Sequence, residues 1–336
     1  MLIVGIVCWA MAVEGSLLKE RVILDTDIGP DYDDVGALAV LHHLADEGKA
    51  EILATVSCNK MEKTVQLLHL INTYYGRPYL PIGVVREGGL DRDTWHKGKK
   101  WTEELLKKYP TDHPVSSETE DAVNVYRRIL ASQPDSSVTV ITIGFLTNLS
   151  NLLHSLPDDV SSLNGFDLVK LKVKRLVSMA GRFPEGREYN VYAEAKGAKH
   201  VFENWPTEIV FSGVEIGRYI RTGDKLIASE MPDNPVKDAY RISIPQDMLE
   251  FDNSRYEMGG RASYDQTAVL VGVCGISDYF DEERGRINVT EDGSNTWCPD
   301  EKGGHIRLLH KHSFQYIADI IENMMMSMPQ IKSSIK

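Results

Sequence analysis

The sequence predicts an α/β fold, an open, mainly parallel, Rossmann-like sheet flanked by helices, with a helical insertion over about residues 224–260. Three observations predict it. Short β-branched runs alternate with amphipathic stretches, which is the pattern of repeated βαβ units. Most of the runs end in polar or glycine-containing loops, where ligands of open α/β sheets gather. Finally, the 336 residues are 42% apolar and 26% charged, enough to bury a sizeable core.

Taken in order, residues 21–24 read as the first strand. An aspartate-rich loop follows, then a helix over 35–44 with Ala37, Leu38, Leu41 and Leu44 on one face. A second strand at 51–57 is followed closely by Asn59. A helix over 62–75, a strand at 80–84, a helix over 120–131 and a strand at 138–143 continue the alternation. After Gly144-Phe145 come a short helix from Thr147, a strand at 175–179, a helix near 193–204 and a strand at 208–211. Over 224–260 the helical periodicity loosens at Pro232, Pro235 and Pro245, so this segment is expected to be a helical insertion or lid. A helix over 265–274, a late strand pair at 286–289 and 305–309, and a closing helix over 313–326 with Ser313 as N-cap complete the chain. Met324, Met325, Met326 and Met328 at its end are expected to fill space. No internal repeat, heptad run or low-complexity linker divides residues 21–328, so one domain is expected.

The formal net charge of −12 argues against a sequence-independent nucleic-acid binder, which needs a basic face. Lys97, Lys99 and Lys100 are too few to reverse that balance. A small or neutral ligand suits the charge better, and homo-oligomerisation is left open. Cys8, Cys58, Cys274 and Cys298 form no CxxC pair, so neither a zinc site nor a redox motif is indicated, and at most one disulfide is expected among the last three. The apolar stretch from Leu2 to Val13, followed by Glu14-Gly15-Ser16, resembles a signal peptide over 1–16 without its basic start. Export would place the protein in the periplasm or outside the cell; otherwise it is cytoplasmic. The stretch is too short to span a bilayer, which takes about 20 residues, and no membrane association is expected.

The chemistry concentrates in Asp25-Thr26-Asp27-Ile28-Gly29-Pro30-Asp31-Tyr32-Asp33-Asp34, where five carboxylates sit between a strand and a helix. Unpaired, they would repel one another by several kcal/mol in a partly buried site. A hard divalent cation removes the conflict, and calcium accepts six to eight oxygens, carboxylates and backbone carbonyls among them. Helix capping would account for one or two of these residues but not for five. An EF-hand loop fails, because Pro30 stands at its sixth position and Gly36 at its twelfth. A haloacid dehalogenase-type phosphatase fails at Gly29, where its pattern needs Thr or Val.

The strand and loop from Val22 to Gly29, ending in Asp33-Asp34, resemble the opening motif of the inosine-uridine-preferring nucleoside hydrolase family. The resemblance extends in order through Asn59, Gly144-Phe145-Leu146-Thr147-Asn148, Met179-Ala180-Gly181, Glu188-Tyr189-Asn190 and Asp265. It implies a ribonucleoside hydrolase of nucleoside catabolism, cleaving the N-glycosidic bond with a calcium-activated water. Calcium would be held by Asp27, Asp34, the backbone carbonyl of Ile143 and Asp265. Asp33, Asn59, Glu188 and Asn190 would bind the sugar hydroxyls, with the backbone of Met179 beneath the ring. Asp27 would accept the proton of the attacking water.

Two departures qualify the resemblance. Two additional residues separate Gly29 from the terminal Asp33-Asp34 pair; with no shift in register, Asp31 would take a carboxylate position and Tyr32 would replace a metal ligand. A longer loop costs little, so Asp33-Asp34 is the preferred pair. Tyr264 stands directly before Asp265, where well-known members carry a His; a phenol with a pKa near 10 is a weak acid at neutral pH. His96, in Trp95-His96-Lys97-Gly98, lies where the family has a flexible His-Gly loop and is the other candidate to protonate the departing base. Trp95 and Trp101 either stack on the base or anchor that loop. Two readings compete: hydrolysis of another ribosyl or glycosyl bond, and calcium-dependent nucleoside or ribose binding without turnover.

Overall fold

The computed structural model describes residues 19–250 and 259–330, so residues 1–16, read above as a signal peptide, lie outside it. Twelve strands are found among the described residues. In chain order they are β1 (Glu20–Thr26), β2 (Ala50–Ser57), β3 (Ile82–Val84), β4 (Val138–Thr142), β5 (Val173–Met179), β6 (Glu185–Arg187), β7 (Glu208–Ser212), β8 (Arg221–Thr222), β9 (Arg261–Ala262), β10 (Phe280–Val289), β11 (Ser294–Pro299) and β12 (His305–His310). Ten of them form one sheet in the order β3-β2-β1-β4-β5-β7-β12-β10-β11-β6. From β3 to β12 neighbouring strands are parallel, and β10, β11 and β6 extend the sheet antiparallel. β8 and β9 form a separate antiparallel pair.

Both faces of the sheet are covered, which explains why the central strands read as near-continuous apolar runs. Val22 and Leu24 face one apolar layer, built from the helices Asp33–Asp46, Thr64–Tyr74, Tyr264–Cys274 and Phe314–Met325. Ile23 faces the other, built from the helices Ala122–Ser132, Thr147–His154 and Ala195–Asn204. The parallel alternation therefore follows the sequence reading, to which the structure adds the short strands β6, β8, β9 and β11 and the changes that follow.

The insertion contains the helices Asp224–Ala228 and Pro235–Glu250. Its prolines do not break the longer helix. Pro235 opens it, where a missing N–H costs nothing, and Pro245 lies inside it. The late strand pair is displaced: residues 286–289 pair with β11, and β12 pairs with residues 280–285. The charged run Asp281-Glu282-Glu283-Arg284 hides that first half of β10 from an apolar pattern. Short charged helices at Trp101–Lys108 and Gly165–Lys172 are additional elements.

Cys58, Cys274 and Cys298 are free thiols. Three of the four terminal methionines fill space as expected, with Met325 buried and Met324 and Met326 packed against the core, whereas Met328 is exposed. Among the described residues no helix is long and apolar enough to cross a membrane.

Candidate active site

The site is built at the carboxyl ends of β1, β4 and β5, where backbone turns hold carboxylates that would otherwise repel. β1 ends at Thr26, whose hydroxyl accepts from the Ile28 N–H at 3.1 Å and donates to Asp34, tying the start of the loop to the helix after it. Gly29 has φ +146°, and a Cβ there would lie 2.9 Å from Asn59 Nδ2 and 3.0 Å from the Arg92 carbonyl, so only glycine fits. The Asn59 amide is fully engaged in this frame. Its Nδ2 donates to the carbonyls of Asp27 (3.0 Å) and Arg92 (2.7 Å), while its Oδ1 accepts from the N–H groups of Met61 (3.1 Å) and Arg92 (2.9 Å). The amide expected at a sugar hydroxyl thus builds the frame of the site.

From the neighbouring strand, the backbone of Gly144 presses on the same loop: a Cβ there would fall 2.5 Å from the Asp27 nitrogen and 2.7 Å from its carboxylate. Asn190 Nδ2 spans the ends of β4 and β5, donating to the carbonyls of Met179 at 3.0 Å and Ile143 at 3.3 Å. Glu188 accepts from the backbone N–H groups of Gly181 (3.1 Å), Asn190 (2.8 Å) and Val191 (3.3 Å). Burial pushes its carboxyl up to about 7, although those N–H groups pull it down. Asp25 supports the loop from beneath, accepting from the Tyr126 hydroxyl at 2.9 Å and Asn148 Nδ2 at 3.1 Å, and burial raises it to about 7.

Asp27, Asp33, Asp34 and Asp265 are all buried. Burial pushes each of them well above the usual carboxylate range, and their neighbours' negative charges push further. Asp31, Asp33 and Asp265 each offer an oxygen within 4.8 Å of the others, a group that could hold a metal ion. Of the expected ligands only Asp265 belongs to this group; Asp27 and Asp34 lie close enough for their charges to act on Asp265, and the Ile143 carbonyl accepts from Asn190. Among the described residues, one cation enters the group. Arg261, on β9, donates to Asp33 Oδ1 through Nε (3.0 Å) and Nη2 (2.8 Å), and its Nη2 lies 2.7 Å from Asp31 Oδ2. Among the described residues no Lys or Arg pairs with Asp27, Asp34 or Asp265, so three buried carboxylates are left without a counter-charge. An all-oxygen donor set with that surplus fits a hard divalent cation.

The two leaving-group candidates have different surroundings. Tyr264 lies beneath the Arg261 guanidinium, 5.9 Å from its ring centroid, and burial raises its phenol above the usual 10. His96 is buried rather than exposed. Its Nε2 meets Asp247 Oδ1 at 2.7 Å, and the other oxygen of Asp247 accepts from the Tyr32 hydroxyl at 2.6 Å. Trp101 is fully buried and anchors its loop, whereas Trp95 is partly exposed and stands edge-on to Tyr189 with ring centroids 5.4 Å apart. Sequence reasoning missed both Arg261 and Asp247. The surplus of carboxylates was a signal for Arg261, but Asp247 lies in a helix that carries no motif. A separate cavity of about 560 Å³, lined by residues including His69, Tyr74, Tyr109 and Pro235, shares no residue with the carboxylate site.

The fold and the site define an α/β protein with a metal-competent carboxylate cluster at the carboxyl ends of its parallel strands. The chain belongs to the inosine-uridine preferring nucleoside hydrolase family, whose profile matches residues 22–314. It is 27% identical over 209 residues to the non-specific ribonucleoside hydrolase RihC of Klebsiella pneumoniae, a match spanning 59% of this chain and 62% of that one. It is 22% identical over 262 residues to the inosine-uridine preferring nucleoside hydrolase of Crithidia fasciculata, spanning 75% of this chain and 78% of that one. Among solved structures it superposes on a plant nucleoside hydrolase with TM-score 0.68 at 16% identity, covering 92% and 99% of the two chains. A purine-preferring ribonucleoside hydrolase from Gardnerella vaginalis gives TM-score 0.66 at 13% identity, covering 91% and 99%. These structural likenesses establish the shared fold.

Proposed function

We propose that the chain hydrolyses the N-glycosidic bond of ribonucleosides, releasing free base and ribose, with calcium as its metal. The observation that carries this reading is the surplus of buried carboxylates at the strand ends, inside a chain of this family. Asp27, Asp34, Asp265 and the Ile143 carbonyl would hold the ion. When bound, calcium supplies positive charge that favours deprotonation of a water and orients hydroxyl oxygens.

The protein's own groups account for the rest. As the bond to the base breaks, the anomeric carbon becomes cationic, and the carboxylates of Asp33 and Glu188 supply opposing charge in a site of low dielectric. Asp27 takes the proton from the attacking water. Burial keeps the phenol of Tyr264 protonated, which suits a contact to the base, and His96 is the group that delivers the proton to the leaving nitrogen.

The test is to incubate the purified protein with calcium and a panel of ribonucleosides and follow free base and ribose. Hydrolysis is expected, with loss of about 10²-fold or more in Asp27→Ala, a comparable loss in Asp34→Ala, and poor turnover of 2′-deoxy analogues. Binding of ribose without turnover of any nucleoside would refute the enzymatic reading.

A further inference from the structure

We propose that Asp247, on the inserted helix Pro235–Glu250, is a positioning residue for departure of the base: it fixes His96 through Nε2, so that Nδ1 is the nitrogen that serves the leaving group. The proposal rests on the hydrolase reading above and adds to it a residue that the family motif does not contain.

The loop carrying His96 is fastened at both ends. At its start, the Asn59 amide holds both the N–H and the carbonyl of Arg92. At its tip, the inserted helix takes over. The Glu250 carboxylate accepts from the N–H of Lys97 (2.8 and 2.9 Å) and of Gly98 (3.1 Å). A Cβ on Gly98 would come within 2.2 Å of the Gln246 amide oxygen, so the loop lies directly on this helix. Between these contacts His96 and Asp247 are sealed from solvent, each side chain 1% exposed.

Inside that seal each oxygen of Asp247 has one job. Oδ1 meets His96 Nε2 at 2.7 Å, and Oδ2 accepts from the Tyr32 hydroxyl at 2.6 Å. Tyr32 lies between Asp31 and Asp33, and its ring centroid is 6.5 Å from that of His96. The carboxylate therefore joins the His96 loop to the loop that holds the sugar-binding aspartate. A carboxylate accepts only, so Nε2 carries the hydrogen of that bond, and Nδ1 is the nitrogen left free to hold a proton for transfer. His96 Nδ1 is buried and has no hydrogen-bond partner among the described residues. A buried ring nitrogen without a partner is costly unless a ligand supplies one.

The step balances. The bond from anomeric carbon to base nitrogen breaks with its electron pair going to the nitrogen, which takes a proton carried on Nδ1 of His96. Water adds its oxygen to the anomeric carbon and gives its proton to Asp27. Once the base has left, water entering the vacated site returns a proton to Nδ1 as Asp27 gives up the one it took.

The experiment compares inosine, whose base leaves poorly without a proton, with p-nitrophenyl β-D-ribofuranoside, whose nitrophenolate leaves unaided. The full chain loaded with calcium is used for wild type, Asp247→Asn, His96→Gln and the double variant. Asp247→Asn is expected to lower kcat on inosine by about 10²-fold with little change in KM, while its rate on the nitrophenyl riboside is kept. In the His96→Gln background, Asp247→Asn should cost nothing further, because the two act as one unit. Equal losses on both substrates, or losses that add in the double variant, would overturn the proposal while leaving the hydrolase reading intact. Failure of the wild type on both substrates would overturn both. If Asp247→Asn folds poorly by circular dichroism, His96→Gln alone must show the substrate-selective loss for the proposal to stand.

Discussion

Two single residues set the local electrostatics of the site. Gly144 permits the contact that seats Asp27, since any side chain there would begin 2.5 Å from the Asp27 backbone nitrogen. Gly144→Ala must shift Asp27, and if Asp27 is the base proposed above, its displacement by about 1 Å costs on the order of 10² in rate. A fall of that size in kcat/KM with an unchanged circular dichroism spectrum is expected, and an unimpaired variant would show that Asp27 is not placed by this contact. Arg261 acts on stability. Its guanidinium is 15% exposed and pairs with Asp33, 2% exposed, and with Asp31, 26% exposed. Arg261→Met leaves a buried carboxylate uncompensated, which costs about 3 kcal/mol once the partial exposure of Asp31 is allowed for. Urea unfolding of calcium-free protein checks the value, and an unchanged midpoint would mean that the pair contributes nothing.

At the scale of elements, the helices Asp33–Asp46 and Thr64–Tyr74 are joined by a buried histidine. His42 Nε2 donates to Asn72 Oδ1 at 3.0 Å, Arg77 Nη1 lies 3.3 Å from its Nδ1, and Tyr75 stacks on the ring at 4.7 Å. Burial, followed by the Arg77 charge, lowers His42 from 6.5 to about 3. Between those values the unfolded chain binds the proton and the folded chain does not, so this contribution to stability is full above 6.5 and is lost as the pH falls toward 3. The unfolding free energy of wild type should therefore fall with acid more steeply than that of His42→Gln, by at most about 1.4 kcal/mol per pH unit. Parallel pH dependences would refute the assignment. The elements also show what the sequence could reveal. The aspartate loop, Asn59, Gly144 and Asp265 were legible because each follows a strand or opens a helix in a fixed order. Arg261 and Asp247 were not, since each reaches the site through tertiary packing of the inserted region, whose prolines obscure its periodicity. The engagement of Asn59 was likewise hidden, because its partner Arg92 lies in a loop with no pattern of its own.

For the whole molecule, the carboxylate cluster is a point where elements remote in the chain meet. Asp27 follows β1, Asp33 and Asp34 open one helix, and Asp265 opens another. Three of these carboxylates have no cationic partner among the described residues, and burial first, then the neighbouring negative charges, raise the carboxyls of Asp27, Asp34 and Asp265. A cation that binds this arrangement and not the unfolded chain stabilises the entire fold by RT ln(1 + [L]/Kd), so each tenfold rise in free calcium above Kd adds about 1.4 kcal/mol. The melting temperature should climb steadily with calcium, fall on addition of a chelator, and lose this dependence in Asp34→Asn. Magnesium should act more weakly at equal concentration, because it demands a strict octahedron, whereas calcium accepts a larger and less regular oxygen shell. Differential scanning calorimetry across calcium and magnesium series makes the comparison. Identical melting in chelator and in calcium would leave the carboxylates without their counter-ion and remove the metal from the reading of this site.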